Sequence, residues 1–139
     1  MKITVITPVF NGEKFLEKTI LSVLNQTYSN IEYIVIDGGS TDGTLSIINK
    51  YRDRLHYFIS EKDNGMYDAI RKGLNIATGD ICAYINSDDY YLENAFETIV
   101  TIFKQNSKIK WIRGLGCVSN HNSVIIGSNR TLIKTRDDI

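Results

Sequence analysis

The sequence is poor in the residues that build disulfide frameworks and transition-metal sites. Its 139 residues include only two cysteines, two histidines and one proline. Cys82 falls inside an apolar run far from Cys117, which predicts a buried thiol in a reducing compartment and no disulfide. His56 and His121 lack the spacing of metal ligands, so we interpret them as a strand-edge residue and a solvated loop residue.

Net charge and long apolar runs are absent as well. Lysine and arginine total 16 and so do aspartate and glutamate, which excludes the basic surplus of a general nucleic-acid binder. No run of about 18 apolar residues predicts a membrane-spanning helix, and residues 1–7 are too short for a signal peptide. We therefore predict a cytoplasmic protein, with peripheral attachment to the inner face of the membrane left open.

What the sequence does contain is an alternation of strands and amphipathic helices. Four apolar runs rich in β-branched or aromatic residues predict strands, at residues 3–6, 31–36, 56–60 and 81–85. Apolar side chains at helical spacing predict helices at residues 13–24, 45–51, 66–77 and 93–106. Residues 110–113 and 123–127 predict two further short strands. This order predicts an α/β fold with a doubly wound, mainly parallel sheet, in a single domain over residues 1–139.

Some local features of these elements can also be predicted. Pro8 cannot donate a ladder hydrogen bond, so we expect it to end the first strand. Gly79 is placed to cap the end of the third helix. Helical spacing puts Phe15 on the inner face of the first helix, and Met66 and Leu74 on that of the third.

Polar residues follow several of the predicted strands. Right-handed crossovers bring the carboxyl ends of parallel strands to one edge, which collects Thr7, Pro8, Asp37, residues 63–65, Asp88 and Asp89. The adjacent carboxylates of Asp88 and Asp89 repel each other, which makes a divalent cation their natural partner. Alternatively, Asp88 begins a turn and Asp89 caps the next helix. The convergence of four segments on one crevice favours a ligand site.

The motifs of several other ligand classes are missing from this edge. A dinucleotide site needs Gly-x-Gly-x-x-Gly after the first strand, where residues 7–12 read Thr-Pro-Val-Phe-Asn-Gly. The sequence also lacks a P-loop and a Ser-His-Asp elbow. A carboxylate-rich site without a phosphate-binding loop can hold a diphosphate through a bridging Mg²⁺ or Mn²⁺.

Six segments, in this order, resemble the family 2 glycosyltransferases. They read ITPVFN at 6–11, SVLNQTY at 22–28, IVIDGGSTDGT at 34–44, DNGMYDAI at 63–70, ATGD at 77–80 and NSDD at 86–89. Members of this family are inverting enzymes that use nucleotide-diphospho-sugars. The resemblance implies the GT-A fold, a Rossmann-like architecture typical of nucleotide-diphospho-sugar transferases.

The resemblance also assigns a pocket for the nucleoside. It implies that Pro8, Val9, Phe10 and Asn11 line the site of the nucleobase and ribose. Asp37 would hydrogen-bond the base, often a uracil in such enzymes, so a UDP-sugar is the expected donor. The alternative for Asp37 is an Asx-turn into the two glycines that follow it.

Three residues of the DNGMYDAI segment match positions near the nucleotide-sugar. They are Asn64, Gly65 and Asp68, each of which has an equally good structural explanation. Asn64 and Gly65 could cap the following helix, and Asp68 could be an acid in its first turn. Asp42 is better explained as a cap of the helix after it.

The segment Asn-Ser-Asp-Asp corresponds to the Asp-x-Asp-type motif of the family. The resemblance implies that Ser87 and Asp88 contact the nucleotide-sugar, with Asp88 reaching the ribose or the metal. Asp89 would coordinate the Mg²⁺ or Mn²⁺ directly. Tyr90 and Tyr91 could wall the site, although packing in the core or rim is the better explanation.

The resemblance ends before the acceptor-binding half that carries the catalytic base in family members. Asp137 and Asp138 are the only late carboxylates, in a stretch that looks like a solvated tail, so we assign no residue as the base. We therefore predict a truncated GT-A domain that binds the donor.

The resulting hypothesis is a glycosyltransferase that acts in cell-surface polysaccharide synthesis. It would transfer a sugar from a metal-bound UDP-sugar to the hydroxyl of a saccharide or lipid-linked saccharide. The alternative is a non-catalytic nucleotide-diphosphate-binding module, or an inactive fragment that needs a partner chain. An absent acceptor half would leave apolar surface uncovered, which predicts a tendency to form homodimers or to aggregate.

Overall fold

The structure, a computed structural model, describes residues 1–114, 116–119 and 125–129. The chain divides into two units, Met1–Thr98 and Ile99–Ile139. The first contains β1 (Ile3–Val9), α1 (Leu16–Leu24), β2 (Ile31–Asp37), α2 (Thr44–Lys50), a 3₁₀ turn (Arg52–Arg54), β3 (Tyr57–Ser60), α3 (Met66–Ile76) and β4 (Ile81–Tyr84). Helix α4 (Ala95–Gln105) continues into the second unit, which holds the antiparallel strands β5 (Gly116–Ser119) and β6 (Ile125–Asn129). None of the described helices is long and apolar enough to cross a membrane.

The strands of the first unit are all parallel and lie in the order β3-β2-β1-β4. The chain builds the sheet outward from β1 to β3 and then returns to place β4 on the other side of β1. Right-handed crossovers put α1 and α2 on one face and α3 on the other. In agreement, α1 contacts α2, and α3 contacts β1 and β2. The predicted doubly wound, parallel α/β sheet is confirmed, and its winding reverses between β1 and β4.

Helix α3 approaches the sheet closely because its inner face is made of small residues. Ala69 packs in a buried cluster with Ile6, Ile34 and Ile36. A Cβ atom at Gly73 would lie only 2.6 Å from Ile6 Cγ2. The absence of a side chain at Gly73 therefore sets the distance between this helix and the strands beneath it.

Three side chains predicted to face inward lie on the surface instead. Phe15, Met66 and Leu74 are 48%, 40% and 49% exposed. Phe15 precedes α1, whose buried face starts with Leu16 and Ile20. On α3, the face that meets the sheet is centred on its small residues, which turns its larger apolar side chains outward.

Strand β1 runs through Pro8 to Val9, so the prediction that Pro8 ends it is wrong. Alternate residues of β1 direct their backbone groups to β2 and to β4. Val9 O accepts from Gly38 N on the β2 side, and Ile6 O accepts from Ile85 N on the β4 side. Pro8 has the orientation of Ile6, and the ladder to β4 ends with the pair formed by Ile6. Its missing N–H therefore faces a side where no partner strand continues.

Strand β4 is an edge strand within the described sheet, which changes the environment of Cys82. Ile81 and Ile85 are buried, whereas Cys82 is exposed and Tyr84 is 53% exposed. The prediction of a buried thiol is therefore wrong, because α3 covers β1 and β2 and leaves this side of β4 uncovered. Partial burial and the charge of Glu32 still raise the pKa of the Cys82 thiol.

The second unit differs from the prediction in where its strands lie. Residues 110–113 form no strand, and the strand predicted at 123–127 is found at Ile125–Asn129. It pairs with Gly116–Ser119, with an irregularity between Val118 and Ser119. His121, Asp137 and Asp138 lie outside the described residues.

Glu32 joins β1 and β2 to the segment that follows α3. Its carboxylate accepts hydrogen bonds from Thr4 Oγ1 (2.5 Å) and from Thr78 N and Oγ1 (2.8 and 2.5 Å), and Lys2 Nζ lies 3.3 Å away. Burial acts to raise the pKa of Glu32, but the bonds from Thr4, Thr78 and Lys2 outweigh it and lower the pKa to about 2. Gly79 lies beside Thr4, and its N–H donates to Thr4 Oγ1 at 2.9 Å. The C-cap of α3 is Ala77, so Gly79 forms a contact with β1 and the prediction that it caps the helix is wrong.

Candidate functional site

The loops after β1 and β4 meet at the carboxyl edge of the sheet. A Cβ atom at Gly12 would lie 3.3 Å from Ser87 Oγ, so these loops touch across the point where the winding reverses. In open α/β sheets, ligands bind in the crevice at this switch point. The geometry therefore defines a candidate site between β1 and β4.

Asp88 and Asp89 lie in the turn that follows β4. Asp89 N donates to Asn86 O at 3.2 Å, which closes the turn, and both aspartates are exposed. Helix α4 begins only at Ala95, so Asp89 caps no helix. Of the two interpretations of this pair, the helix cap is excluded for Asp89, whereas Asp88 does lie in a turn.

The electrostatics of the pair favour a positively charged partner. Desolvation and the charge of Asp88 raise the pKa of Asp89, and a weak contact with Asn86 Nδ2 at 3.5 Å acts in the opposite direction. Asn86 Oδ1 is buried and has no hydrogen-bond partner among the described residues. The two carboxylates supply hard oxygen donors, which suit Mg²⁺ or Mn²⁺, and the Asn86 side chain lies next to Asp89. No group of three or more His, Cys, Asp or Glu side chains in the described ranges could hold a metal ion, so a cation at this pair would need further ligands from elsewhere.

The two tyrosines after the pair pack against neighbouring side chains. Tyr91 meets Phe96 edge-on, with ring centroids 4.8 Å apart, and its hydroxyl donates to Tyr84 O at 3.3 Å. Burial, with a further contribution from the charge of Asp89, raises the pKa of Tyr91 to about 12. Lys18 Nζ lies 3.6 Å from the centre of the Tyr90 ring. These contacts are packing contacts, in line with the preferred interpretation of both residues.

Asn11 links the loop after β1 to the loop after β2. It has a positive φ of 51°, its N–H donates to Ser40 Oγ at 2.8 Å, and its Oδ1 accepts from Thr41 N at 2.9 Å. Gly12 N donates to Thr44 Oγ1 at 2.8 Å. The sequence did not reveal this bracing, because its partners lie about thirty residues apart.

The four residues predicted to line the nucleoside pocket have different surroundings. Pro8 and Val9 are buried within β1, and Asn11 is engaged with the neighbouring loop. Phe10 is 63% exposed. Phe10 is therefore the member of this set whose side chain is most open to a ligand.

Asp37 is fully buried, and its carboxylate is surrounded by donors from its own loop and from β3. It accepts hydrogen bonds from Gly39 N (3.2 Å), Ser40 N (3.1 Å), Ser40 Oγ (2.5 Å) and Ser60 Oγ (2.5 Å). The alternative of an Asx-turn into the glycines is thus formed in the structure. A contact of Asp37 with a nucleobase stays a prediction.

Asp42 lies two residues before the first residue of α2 and bonds to the start of that helix. Its carboxylate accepts from Thr44 N at 3.0 Å and from Glu13 N at 3.1 Å. Burial acts to raise the pKa of Asp42, but these hydrogen bonds outweigh it and lower the pKa. Gly43 holds the N-cap position without a side-chain bond, so Asp42 supports the first turn of α2 from one residue further out.

The loop before α3 also forms its own capping contacts. Asp68 accepts from Asn64 N at 3.2 Å and from Arg71 Nη2 at 2.6 Å, and the bond from Arg71 is the main cause of its lowered pKa. Gly65 has a φ of +99° and donates its N–H to Asp63 Oδ1 at 2.8 Å. The first-turn role of Asp68 is therefore present, and contacts of this loop with a nucleotide-sugar stay predictions.

Asp63, which the sequence analysis placed at this edge without a role of its own, connects this loop to the one after β2. A Cβ atom at Gly38 would lie 3.0 Å from Asp63 Oδ2. In the described part of the chain, no hydrogen bond or ion pair links either loop to Asp88 and Asp89. The carboxyl edge thus carries two groups of contacts, one at the switch point and one around Asp37.

A doubly wound α/β domain with a carboxylate pair at its switch point belongs to the class of nucleotide-binding folds. The sequence profile described as Glycosyl transferase family 2 matches residues 4–120, and the chain belongs to this family. Because the profile spans most of the chain, the resemblance seen in its motifs is confirmed.

Curated relatives are similar over about three quarters of the chain. An uncharacterized glycosyltransferase of Haemophilus influenzae is 40% identical over 107 residues, which cover 75% of this chain and 43% of that protein. A Bacillus subtilis protein provisionally named teichuronic acid biosynthesis glycosyltransferase TuaG is 33% identical over 108 residues, with coverages of 76% and 43%. The chain therefore spans less than half the length of these relatives.

Solved structures of glycosyltransferases share the fold. S. aureus TarS 1-349 in complex with UDP-GlcNAc is 26% identical, with a TM-score of 0.70 over 88% of this chain and 42% of that one. Glucosyl-3-phosphoglycerate synthase from Mycobacterium tuberculosis, in complex with Mn²⁺, UDP and glucosyl-3-phosphoglycerate, is 26% identical, with a TM-score of 0.54 over 64% and 35%. These similarities confirm the GT-A fold.

Proposed function

We propose that this chain is the donor-binding part of an inverting glycosyltransferase that uses a UDP-sugar with Mg²⁺ or Mn²⁺. The acceptor is the hydroxyl of a saccharide or lipid-linked saccharide, and the product belongs to a cell-surface polysaccharide made at the cytoplasmic side of the membrane. The name of TuaG supports a role in polysaccharide synthesis. The ligands of the TarS and synthase structures support a uridine nucleotide.

One observation carries this proposal, namely the pair of carboxylates beside an unpaired amide oxygen at the switch point of the sheet. Asp88 and Asp89 would hold the cation, and Asn86 Oδ1 offers a further oxygen. A bound divalent cation supplies positive charge that stabilises a departing diphosphate. The Mn²⁺ in the synthase structure supports this choice of metal.

The remaining residues of the proposed site bind and orient the nucleoside and the sugar. Phe10 presents an exposed aromatic ring, which can stack on a base. Pro8, Val9 and Asn11 adjoin Phe10 in sequence and complete the proposed nucleoside site. The carboxylate of Asp37 already accepts hydrogen bonds from Ser40 and Ser60. Its proposed contact with the base therefore requires one of these donors to be displaced.

The sugar and diphosphate side of the proposed site is built from two loops. Asn64, Gly65 and Asp68 belong to the loop before α3, and Ser87 belongs to the turn after β4. The Ser87 hydroxyl suits a phosphate oxygen, and the Asp68 carboxylate suits a sugar hydroxyl. The N–H groups of Asn64 and Gly65 bond to Asp68 and Asp63, so their contact with a phosphate requires these bonds to be exchanged. No residue of the described chain is assigned as the base that deprotonates the acceptor.

Calorimetric titration of UDP with and without Mn²⁺ tests the donor site. We expect Mn²⁺ to increase the UDP affinity of the wild type. In the presence of Mn²⁺, the UDP affinity of Asp89→Ala should be at least about tenfold lower than that of the wild type. Asp53→Ala is the matched control, because Asp53 is exposed in the 3₁₀ turn, which carries none of the proposed site residues. Equal binding by all three proteins, with or without Mn²⁺, would contradict the metal-diphosphate site.

A turnover assay separates an enzyme from a binding module. The wild type is incubated with UDP-sugars and a panel of saccharide acceptors, and released UDP is measured. Transfer or hydrolysis that disappears in Asp89→Ala supports the enzyme. Tight Mn²⁺-dependent UDP binding without release supports a donor-binding module that acts only with an acceptor-binding partner.

A further inference from the structure

Three polar residues on α1 hold the segment that carries the carboxylate pair. Thr19, Ser22 and Gln26 are spaced by three and four residues, so they lie along one side of the helix. We call this row the polar ladder. Each of its side chains forms a hydrogen bond with the backbone of residues 87–96, the segment that follows β4.

Thr19 makes the contact nearest to the proposed metal ligands. It is 1% exposed, and its Oγ1 lies 2.9 Å from Ser87 O and 2.6 Å from Asp89 O. These two carbonyls bracket Asp88. Because a hydroxyl carries one proton, the two carbonyls share a single donor, and the backbone on both sides of Asp88 is held to one buried point.

The other residues of the ladder extend this support along the chain. Ser22 Oγ accepts from Tyr91 N at 3.1 Å, and Gln26 Nε2 donates to Leu92 O at 2.8 Å. Gln26 Oε1 accepts from Phe96 N at 3.2 Å. The segment after β4 has no regular secondary structure before α4, so these bonds supply the order that a helix or strand would otherwise give.

We propose that Thr19 is a positioning residue for Asp88 and Asp89, and that the polar ladder keeps their backbone in place for cation binding. Two like charges side by side repel, and a backbone without support would let the carboxylates move apart. A cation site needs its oxygens already in place. The proposal rests on the proposed function, since it names what places the metal-binding pair.

Variants of Thr19 test the proposal in the full 139-residue chain. Thr19→Val removes the hydroxyl and keeps the shape, whereas Thr19→Ser keeps the hydroxyl. Thr98→Val is the matched control. Thr98 lies on α4, and its hydroxyl donates to a backbone carbonyl outside the proposed site, Asn94 O, at 2.9 Å. UDP is titrated with and without Mn²⁺, and the electron paramagnetic resonance signal of Mn²⁺ reports its coordination.

We expect Thr19→Val to weaken Mn²⁺-dependent UDP binding about tenfold and to leave metal-free UDP affinity within about twofold. Thr19→Ser should restore binding, and Thr98→Val should match the wild type. A purely structural role would lower both affinities together. Equal losses with and without Mn²⁺, or no loss at all, would therefore overturn the proposal while the proposed function stands.

The same experiment identifies a failure of the proposed function. If the wild type shows no Mn²⁺-dependent UDP binding, the proposed function is wrong, and the positioning role falls with it. If circular dichroism shows that Thr19→Val does not fold, Ser22→Ala replaces it. We expect Ser22→Ala to lower the Mn²⁺-dependent UDP affinity about threefold and to leave the metal-free affinity unchanged. Unchanged Mn²⁺-dependent binding by this second variant overturns the proposal.

Discussion

Among the single residues of the site, Asn86 is distinguished by a buried oxygen that finds no hydrogen-bond partner in the part of the chain that the structure describes. A buried acceptor left unpaired costs about 1–3 kcal/mol. Proteins keep such costs mainly at functional sites, where a ligand satisfies the group on binding. The unpaired oxygen therefore favours a binding role for Asn86 over a structural one.

This leads to a prediction in which stability and binding change in opposite directions. Asn86→Ala removes the unpaired acceptor, so its melting temperature should stay within about 2 °C of the wild type or rise above it. Its Mn²⁺-dependent UDP affinity should fall at least threefold, on the order of one lost oxygen contact. Thermal unfolding and calorimetry measure the two quantities.

The matched control is Asn49→Ala, which removes an exposed amide from α2. Neither quantity should change in this variant. A drop of many degrees in the melting temperature of Asn86→Ala, together with unchanged UDP binding, would show that Asn86 serves the fold.

The location of site residues could be predicted at this scale, but their partners could not. Asp37, Asp88 and Asp89 each follow an apolar run, so their place at the carboxyl edge follows from local sequence. Ser60 and Thr19, which bond to Asp37 and to the backbone around Asp88, come from distant parts of the chain. Such long-range bonds depend on how elements pack, which residue type and spacing do not encode.

At the scale of elements, Glu32 ties three segments together and makes the fold sensitive to acid. Its pKa of about 2 lies below the ordinary glutamate value of 4.5. A lowered pKa in the folded state stabilises the fold at pH values above the unfolded pKa. This contribution is lost as the pH falls from about 4.5 towards 2.

We predict that Glu32→Gln removes this pH-dependent contribution. At pH 7 the free energy of unfolding should fall by about 2 kcal/mol, since Lys2, Thr4 and Thr78 lose a charged partner. The difference from the wild type should shrink between pH 4.5 and pH 2. Urea unfolding at several pH values in this window measures it.

Glu61→Gln provides a comparison on the surface. Glu61 pairs with Lys72 at 2.6 Å, and its side chain is 49% exposed. Exposed pairs contribute little, so this variant should stay within about 1 kcal/mol of the wild type at every pH. A Glu32→Gln difference that stays constant from pH 7 to pH 2 would contradict the role of the ionised carboxylate.

The elements themselves could be predicted, but their surroundings in the sheet could not. Apolar periodicity located all four strands of the first unit and helices α1 to α4. Two of the errors, those on Pro8 and Cys82, have one cause. The neighbouring strand decides whether the backbone N–H of a strand residue must donate a hydrogen bond, and the packing of helices decides whether its side chain is buried. Both depend on the order of the strands in the sheet, which is a long-range property.

At the scale of the whole molecule, the reversal of winding places the candidate site next to a sheet edge. Strand β4 carries the turn with the carboxylate pair, and it is also the outermost strand on its side of the described sheet. Its side chains Cys82 and Tyr84 are exposed, and the backbone groups of these two residues face away from β1, where Tyr84 O accepts from the Tyr91 hydroxyl. Exposed edges of this kind promote pairing between chains.

The expected consequence is self-association of the chain through the edge of β4. Light scattering at several protein concentrations should show an apparent mass that rises with concentration for the wild type. Tyr84→Lys should lower that rise, because a lysine on an edge strand opposes pairing and reduces the apolar surface. Tyr67→Lys is the control, since Tyr67 is 80% exposed on α3 and lies on no strand.

A wild-type mass that is constant at the monomer value would contradict the prediction. An equal effect of both lysines would assign the association to general apolar exposure, in which case the edge of β4 has no special part in it.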